Sequence, residues 1–214
     1  MNHNATVTVF IVDDDQAMVE SLAWMIESVG FKTKTFTDAQ SFLDYYTQDQ
    51  PGCLILDVRM PEISGPELQE KFNQKHFKLP IIFISGHGDI PLAVRVMKAG
   101  AIDFLAKPFN DQVLLEVINK AIRIDKENRA KHLHSHQILE RVALLTAREH
   151  QVMCQIVAGK LNKVISSDLD ISLKTVEAHR SNIMRKLQIK SLSELIRVAL
   201  TYNLCDTNPS DTEK

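Results

Sequence analysis

Five short runs of strand-like sequence alternate with segments of helical spacing over residues 6–124, and that alternation leaves few folds open. Four of the runs (6–12, 53–58, 79–85 and 101–106) are mostly apolar, and 31–36, FKTKTF, alternates. Each has the length and boundary residues of a strand. Between the first two, Met18, Leu22, Met25, Ile26 and Val29 recur near helical spacing and Gly30 can end the helix. Asp38 can cap a helix to about Tyr46, and Pro66 suits the first turn of one to about Asn73. Asp89 to Ala99 reads as a helix closed by Gly100, and a last helix begins near Asn110 and runs past Ile124. Strand and helix repeated five times imply a doubly wound, five-stranded parallel sheet. Trp24 and the apolar residues around it are expected in its core.

From Val142 the pattern is purely helical. Thr146-Ala-Arg-Glu149 and Ser191-Leu-Ser-Glu194 are capping boxes. Two helices, about 162–169 and 173–187, flank a three-residue turn at Asp170-Ile171-Ser172, the plan of a helix-turn-helix. The expected organisation is an α/β domain over 7–124, a polar linker over 125–139 into which the last helix frays, an all-α domain over 140–204, and a flexible tail over 205–214. Charge divides along the same line. Residues 1–125 hold 11 basic and 17 acidic residues, −6, and residues 126–214 hold 14 and 10, +4. A polyanionic partner therefore belongs with the second half.

No apolar run approaches the length of a membrane span, and the first ten residues lack a signal-peptide pattern, so no membrane partner is expected. Three widely spaced cysteines, Cys53, Cys154 and Cys205, are not a disulfide framework, and a reducing cytoplasm is the expected home. His132, His134 and His136 read as solvated linker residues rather than metal ligands.

Ligands of a parallel sheet bind beyond the carboxyl ends of its strands. Asp13 and Asp14, Asp57, Ser85 and Lys107 should meet there. Two carboxylates about 4 Å apart repel by roughly 4 kcal/mol at an effective dielectric near 20. Such a cluster needs a cation, and Mg²⁺, which takes one or two carboxylates and keeps its waters, suits it. Carboxylate, metal, lysine and hydroxyl together suit in-line phosphoryl transfer to Asp57. Asp15 is explained by a helix cap alone.

These residues carry a resemblance. VDDD at 12–15, Asp57-Val-Arg-Met60-Pro61 with Gly65, Ser85-Gly-His-Gly-Asp89, and Asp103-Phe104 with Lys107-Pro108 resemble the receiver domain of two-component response regulators over about residues 7–124. The resemblance implies a flavodoxin-like fold and a histidine kinase that phosphorylates Asp57. It implies Mg²⁺ held by Asp14, Asp57 and the carbonyl of Arg59, with Asp13 acting through a water. Ser85 and Lys107 would hold the phosphoryl oxygens, Lys107-Pro108 would be cis, and Ser85 and Phe104 would form the switch. Leu145-Thr-Ala-Arg-Glu149, Gly159, Asn162-Lys163, Ile171-Ser172, Thr175-Val-Glu-Ala-His-Arg180 and Lys186-Leu187 resemble the LuxR/FixJ class of DNA-binding domains over about 140–204. Ser166 departs from that class's small apolar residue, with looser helix packing as the expected effect. Together the two parts look most like the FixJ branch, a phosphorylation-switched transcription regulator and not an enzyme. Two alternatives stay open: a phosphorylation-independent DNA-binding module, and a Mg²⁺ phosphohydrolase with an aspartyl nucleophile. Arg59, where the haloacid-dehalogenase-like phosphatases carry a general acid, argues against the latter.

Helical geometry divides residues 173–187. Val176, Ile183 and Leu187 form one stripe, and Lys174, Glu177, Ala178, Ser181 and Arg185 lie opposite it. Glu177, Ala178 and Ser181 suit base edges in the major groove. Thr175, His179, Asn182 and Lys186 lie on a flank suited to phosphates, with Arg185 beside them, while Arg180 borders the core. Expected partners are promoter DNA and a second copy on phosphorylation, with RNA polymerase open. Leu192, Leu195, Ile196, Val198 and Ala199 are a candidate dimer surface, most of it expected in the core.

Overall fold

The computed structural model describes residues 7–48, 50–86 and 90–205. His87 and Asp89, part of the motif after Ser85 and the expected start of a helix, lie outside the described residues, as do 206–214 of the expected tail. The chain divides into two compact units, residues 1–131 and 132–214.

The first unit alternates β1 (Thr8–Val12), α1 (Gln16–Ser28), β2 (Lys32–Phe36), α2 (Ala39–Tyr45), β3 (Gly52–Asp57), α3 (Gly65–Gln74), β4 (Ile81–Ser85), α4 (Ile90–Lys98) and β5 (Asp103–Ala106), and leads into α5 (Asp111–Ala143). The strands form one parallel sheet in the order β2-β1-β3-β4-β5. Alternation along each strand builds two cores. Phe10, Val12, Leu54, Leu56 and Phe83 face Phe42, Leu68, Phe72 and Val96 on one side. Val9, Ile11, Ile55, Ile82 and Ile84 face Val19, Leu22, Ile26, Leu114 and Ile118 on the other. Burying one such aliphatic or aromatic side chain is worth about 1.5–3 kcal/mol, so the strands are fixed in register from both faces. Gly65 starts α3 directly against β3, where a Cβ would overlap the Asp57 carbonyl oxygen and crowd the Phe83 ring. Asp15 caps α1 through the amides of Ala17 and Met18, as its position suggested.

Two expectations fail among these elements. Trp24 is 76% exposed, because it lies outside the Val19–Leu22–Ile26 stripe by which α1 meets the sheet. The segment 125–139 does not fray: α5 is one helix of 33 residues. It has no glycine or proline, and many of its polar residues are good helix formers. Asp125 and Arg129 pair at i, i+4 at 2.8 Å, and Arg129 also donates to the carbonyls of Gln48 (2.9 Å) and Gln50 (2.6 Å). The three linker histidines therefore sit on a helix, where His136 faces Glu140 at 3.3 Å.

The second unit adds α6 (Ala147–Val157), α7 (Asn162–Asp168), α8 (Leu173–Leu187) and α9 (Leu192–Thr201). Thr146 and Glu149 complete the capping box of α6. Ser191 caps α9, but Glu194 bonds the amide of Lys190 rather than of Ser191, so that box is half made. The core joins Val152, Met153, Ile156, Ile165, Val176, Ile183, Leu187, Leu195 and Val198. Ser166 makes a bond that the expectation of looser packing left out: its hydroxyl donates to the Ile171 carbonyl across the turn. The cysteines depart furthest from expectation. Cys154 on α6 and Cys205 are disulfide-bonded, so residue 205 belongs to the folded unit and not to a free tail. A separation of 51 residues hid a pairing that only the turn back after α9 creates.

Candidate functional site

The crevice at the carboxyl end of the sheet lies where β1 and β3 lead their connections to opposite faces. Asp13 follows β1, Asp57 ends β3, Ser85 ends β4 and Lys107 follows β5. The structure brings the predicted charges together. Lys107 Nζ lies 2.7 Å from Asp13 Oδ2 and 2.7 Å from Asp57 Oδ1. The remaining oxygens are held by backbone, Asp13 Oδ1 by the amide of Asp15 at 2.9 Å and Asp57 Oδ2 by the amide of Arg59 at 2.7 Å. Asp13, Asp57 and Ser85 are all buried, while Asp14 is exposed beside them. Burial works against the Lys107 ammonium, but its hydrogen bonds to Asp13 and Asp57 outweigh that and hold its pKa above the usual lysine value.

Two buried carboxylates share one ammonium, so the crevice keeps an excess of negative charge. Every available donor is oxygen, which suits a hard divalent cation. Among the described residues no three His, Cys, Asp or Glu side chains gather to hold a metal. The expected set of two carboxylates and a carbonyl does not require it. Lys107-Pro108 is cis, as the resemblance implied, and Phe104 is partly buried against the sheet's core.

In the second unit, Lys174, Glu177, Ala178, Ser181 and Arg185 are exposed on α8, opposite the buried Val176, Ile183 and Leu187. Thr175, His179 and Asn182 are half-buried on the flank. Lys186 requires a correction. Its ammonium lies 2.6 Å from the carboxylate of Glu149, which is buried, and 3.0 Å from the carbonyl of Leu144. It ties α8 to the start of α6 instead of facing phosphate. Burial would raise the Glu149 pKa, but Lys186 and the amide and hydroxyl of Thr146 hold it below the usual carboxylate value. The capping box pointed to Glu149 as an N-terminal cap; nothing in local sequence pointed to its partner 37 residues on. Arg180 donates to Asn162 at 3.1 Å, in keeping with its place beside the core. On α9, Leu195, Val198 and Ala199 are buried, and Leu192 and Leu200 remain exposed.

Comparison with known proteins decides what these two arrangements are. Residues 9–119 match the response regulator receiver domain, and residues 143–199 match the luxR family of bacterial regulatory proteins. The chain is 44% identical over 192 residues to the transcriptional regulatory protein FixJ of Bradyrhizobium diazoefficiens, covering 90% of this chain and 94% of that one. The chain belongs to the response regulator family. This response regulator is also 43% identical over 198 residues to TodT of Pseudomonas putida, covering 92% of this chain and 87% of that one. Its fold is similar to that of the response regulator StyR, with a TM-score of 0.84 and 44% identity over 92% of this chain and all of the other. Full-length FixJ from B. japonicum matches with a TM-score of 0.57 and 42% identity over 95% of this chain and all of the other. The response regulator thus pairs a receiver with a LuxR-type DNA-binding domain, the plan of a transcription regulator and not of an enzyme. The receiver implies a histidine kinase as partner, and the LuxR-type domain implies DNA. Among the described residues no helix is long and apolar enough to cross a membrane.

Proposed function

We propose that Asp57 is the phosphoacceptor of a cytoplasmic transcription regulator and that its phosphorylation, by a histidine kinase, switches the protein to a dimer on promoter DNA. The observation that carries this reading is the Lys107 ammonium held 2.7 Å from both Asp13 and Asp57. It orients the Asp57 carboxylate and can follow the charge as a phosphoryl group is added. Bound Mg²⁺ would neutralise phosphoryl oxygens in flight, held by Asp14, Asp57 and the Arg59 carbonyl, with Asp13 reaching it through water. Asp57 attacks phosphorus in line as the bond to the kinase histidine breaks, and Lys107 and Ser85 receive the new oxygens. Movement of Ser85 toward the phosphoryl group frees room for Phe104 to turn inward, which alters the face of α4 and β5 and makes it the dimer surface. On α8, Glu177, Ala178 and Ser181 read base edges, while Lys174, Arg185 and the Thr175, His179 and Asn182 flank meet the backbone. A partner such as RNA polymerase stands beyond the DNA.

The test is incubation of the whole chain with a small phosphodonor and Mg²⁺, read by intact mass and sedimentation. One phosphoryl group per chain, lost in Asp57→Asn, with dimers forming only on labelling, is the expected outcome. Labelling that persists in Asp57→Asn refutes the acceptor, repeated turnover returns the phosphohydrolase reading, and DNA binding with no labelling returns the constitutive module.

A further inference from the structure

The disulfide has no part in phosphoryl transfer, and its surroundings are organised. Cys154 lies one helical turn beyond His150 on α6, so both side chains share a face. His150 Nε2 is 2.9 Å from the carbonyl oxygen of Leu204, and its Nδ1 is 3.8 Å from Cys154 Sγ. A carbonyl oxygen only accepts, so Nε2 carries the hydrogen of that bond. In the neutral ring the lone pair is then on Nδ1, aimed at the Cys154 sulfur. This arrangement suits a histidine that takes a thiol proton. Cys205 is brought to the same place by the left-handed turn at Asn203 and the bond from the Leu204 amide to the Ala199 carbonyl. The Cα atoms of the two cysteines are 5.3 Å apart, within disulfide reach. Cys154 is partly exposed, whereas Cys205 is only 9% exposed. Cys53, the third cysteine, is fully buried in the other unit.

We propose that Cys154 and Cys205 are a reversible redox site of the DNA-binding domain, with hydroperoxides as the oxidising substrate class. His150 is the positioning residue that accepts the Cys154 proton. The Cys154 thiolate attacks one oxygen of the peroxide and the O–O bond breaks. With H₂O₂ and the proton from His150, the products are a sulfenic acid and water. The Cys205 thiol then attacks the sulfenic sulfur, forming the S–S bond and releasing a second water. Two thiols have lost two electrons and two protons, and one peroxide has become two waters. In a reducing compartment a thiol reductant reopens the bond, the behaviour expected of a disulfide there. The closed bond encloses α7, α8 and α9 in one covalent loop and pins the end of α9 to α6. This site is independent of Asp57.

The test uses the reduced full chain, treated with H₂O₂ and digested without reductant. The expected result is a cross-linked 154–205 peptide, with Cys53 alkylated only after unfolding. Cys205→Ser should accumulate a dimedone adduct on Cys154. His150→Gln keeps a donor for the Leu204 carbonyl but lacks the imidazole base. It should slow bond formation by about tenfold at neutral pH, because the thiolate is the nucleophile and an unassisted cysteine is only about a few per cent thiolate there. Amide exchange at residues 199–205 should be faster in the reduced form. A peroxide-treated wild type that keeps three free thiols, a bond through Cys53, or an unchanged rate in His150→Gln each overturns the proposal. The wild-type thiol count holds even where a variant folds poorly.

Discussion

The crevice beyond the sheet and the outer face of α8 treat their polar groups in opposite ways. In the crevice both oxygens of Asp13 and both of Asp57 are bonded, and Lys107 answers to two acids at once. On α8 a lysine, a glutamate, a serine and an arginine stand exposed along one stripe. Under the proposed phosphorylation of Asp57, one added charge would disturb several of these bonds at once. Under the proposed reading of DNA by α8, these exposed groups would find their partners on the nucleic acid. The two regions should therefore fail differently: substitutions in the crevice should cost or relieve folding free energy, and those on the α8 stripe should change binding with the fold untouched.

Lys107 gives the largest expected effect on folding. Removing it in Lys107→Ala leaves two buried carboxylates without their cation, and breaking a buried pair from one side costs about 3–5 kcal/mol. Asp57→Asn in the resting protein removes one of two negative charges competing for one ammonium, so it should be neutral or stabilising. Urea unfolding of the receiver's transition checks both. Adding Mg²⁺ should recover part of the loss in Lys107→Ala. Equal destabilisation by the two variants would mean that the crevice is no more strained in charge than the surface.

The crevice was legible in the sequence because topology alone gathers strand ends. Once five β-α units were counted, Asp13, Asp57, Ser85 and Lys107 had nowhere else to go. The stripe on α8 was legible because helical period fixes the direction of every side chain, and Val176, Ile183 and Leu187 marked the inner face. Lys186 was misread because period assigns a flank, but a long side chain on a flank can turn either way, and Glu149 lies 37 residues distant. The disulfide and the continuation of α5 were missed for related reasons. One depends on a turn after α9, and the other on Asp125, Arg129 and carbonyls of the α2–β3 connection. Trp24 was misplaced because its angle on α1 lies outside the Val19–Leu22–Ile26 stripe and faces it outward.

Lys186 and Arg185, adjacent in sequence, put the comparison within one turn of helix. Lys186→Ala should destabilise the helical unit by about 2 kcal/mol, less than a fully buried pair because Lys186 is partly exposed. Arg185→Ala should change stability by less than about 0.5 kcal/mol and lower DNA affinity on all sequences, with a shallower salt dependence. The Glu149 pair also sets a pH response. Glu149's folded-state pKa lies below its unfolded value, near 4.3 for a glutamate. Its contribution is thus complete above that unfolded value and is lost as pH falls through the lowered one. Acid titration of stability should show a loss in this range that Lys186→Ala largely removes. A loss of DNA affinity in Lys186→Ala with full thermal stability would return Lys186 to the phosphate contacts.

Glu177 should show the smallest effect on folding and the most selective one on binding. It is exposed on the outer stripe, away from Val176 and Ile183, so Glu177→Ala removes no packing and replaces a good helix former with a better one. Its stability should stay within about 0.5 kcal/mol of the parent. On DNA the carboxylate can accept from cytosine N4 in the major groove, and a good base contact discriminates by about 1–3 kcal/mol. Selection from random DNA with the phosphorylated protein should yield an inverted repeat with half-sites about one helical turn apart, as a two-fold dimer requires. Glu177→Ala should relax preference at one or two positions in each half-site and leave the spacing intact, since spacing is set by the dimer and not by α8. Arg185→Ala should retain the selected motif and bind it more weakly. If Glu177→Ala returns an unchanged motif and Arg185→Ala an altered one, the helix enters the groove by its other edge, and the exposed stripe is a solvated surface rather than the reading face.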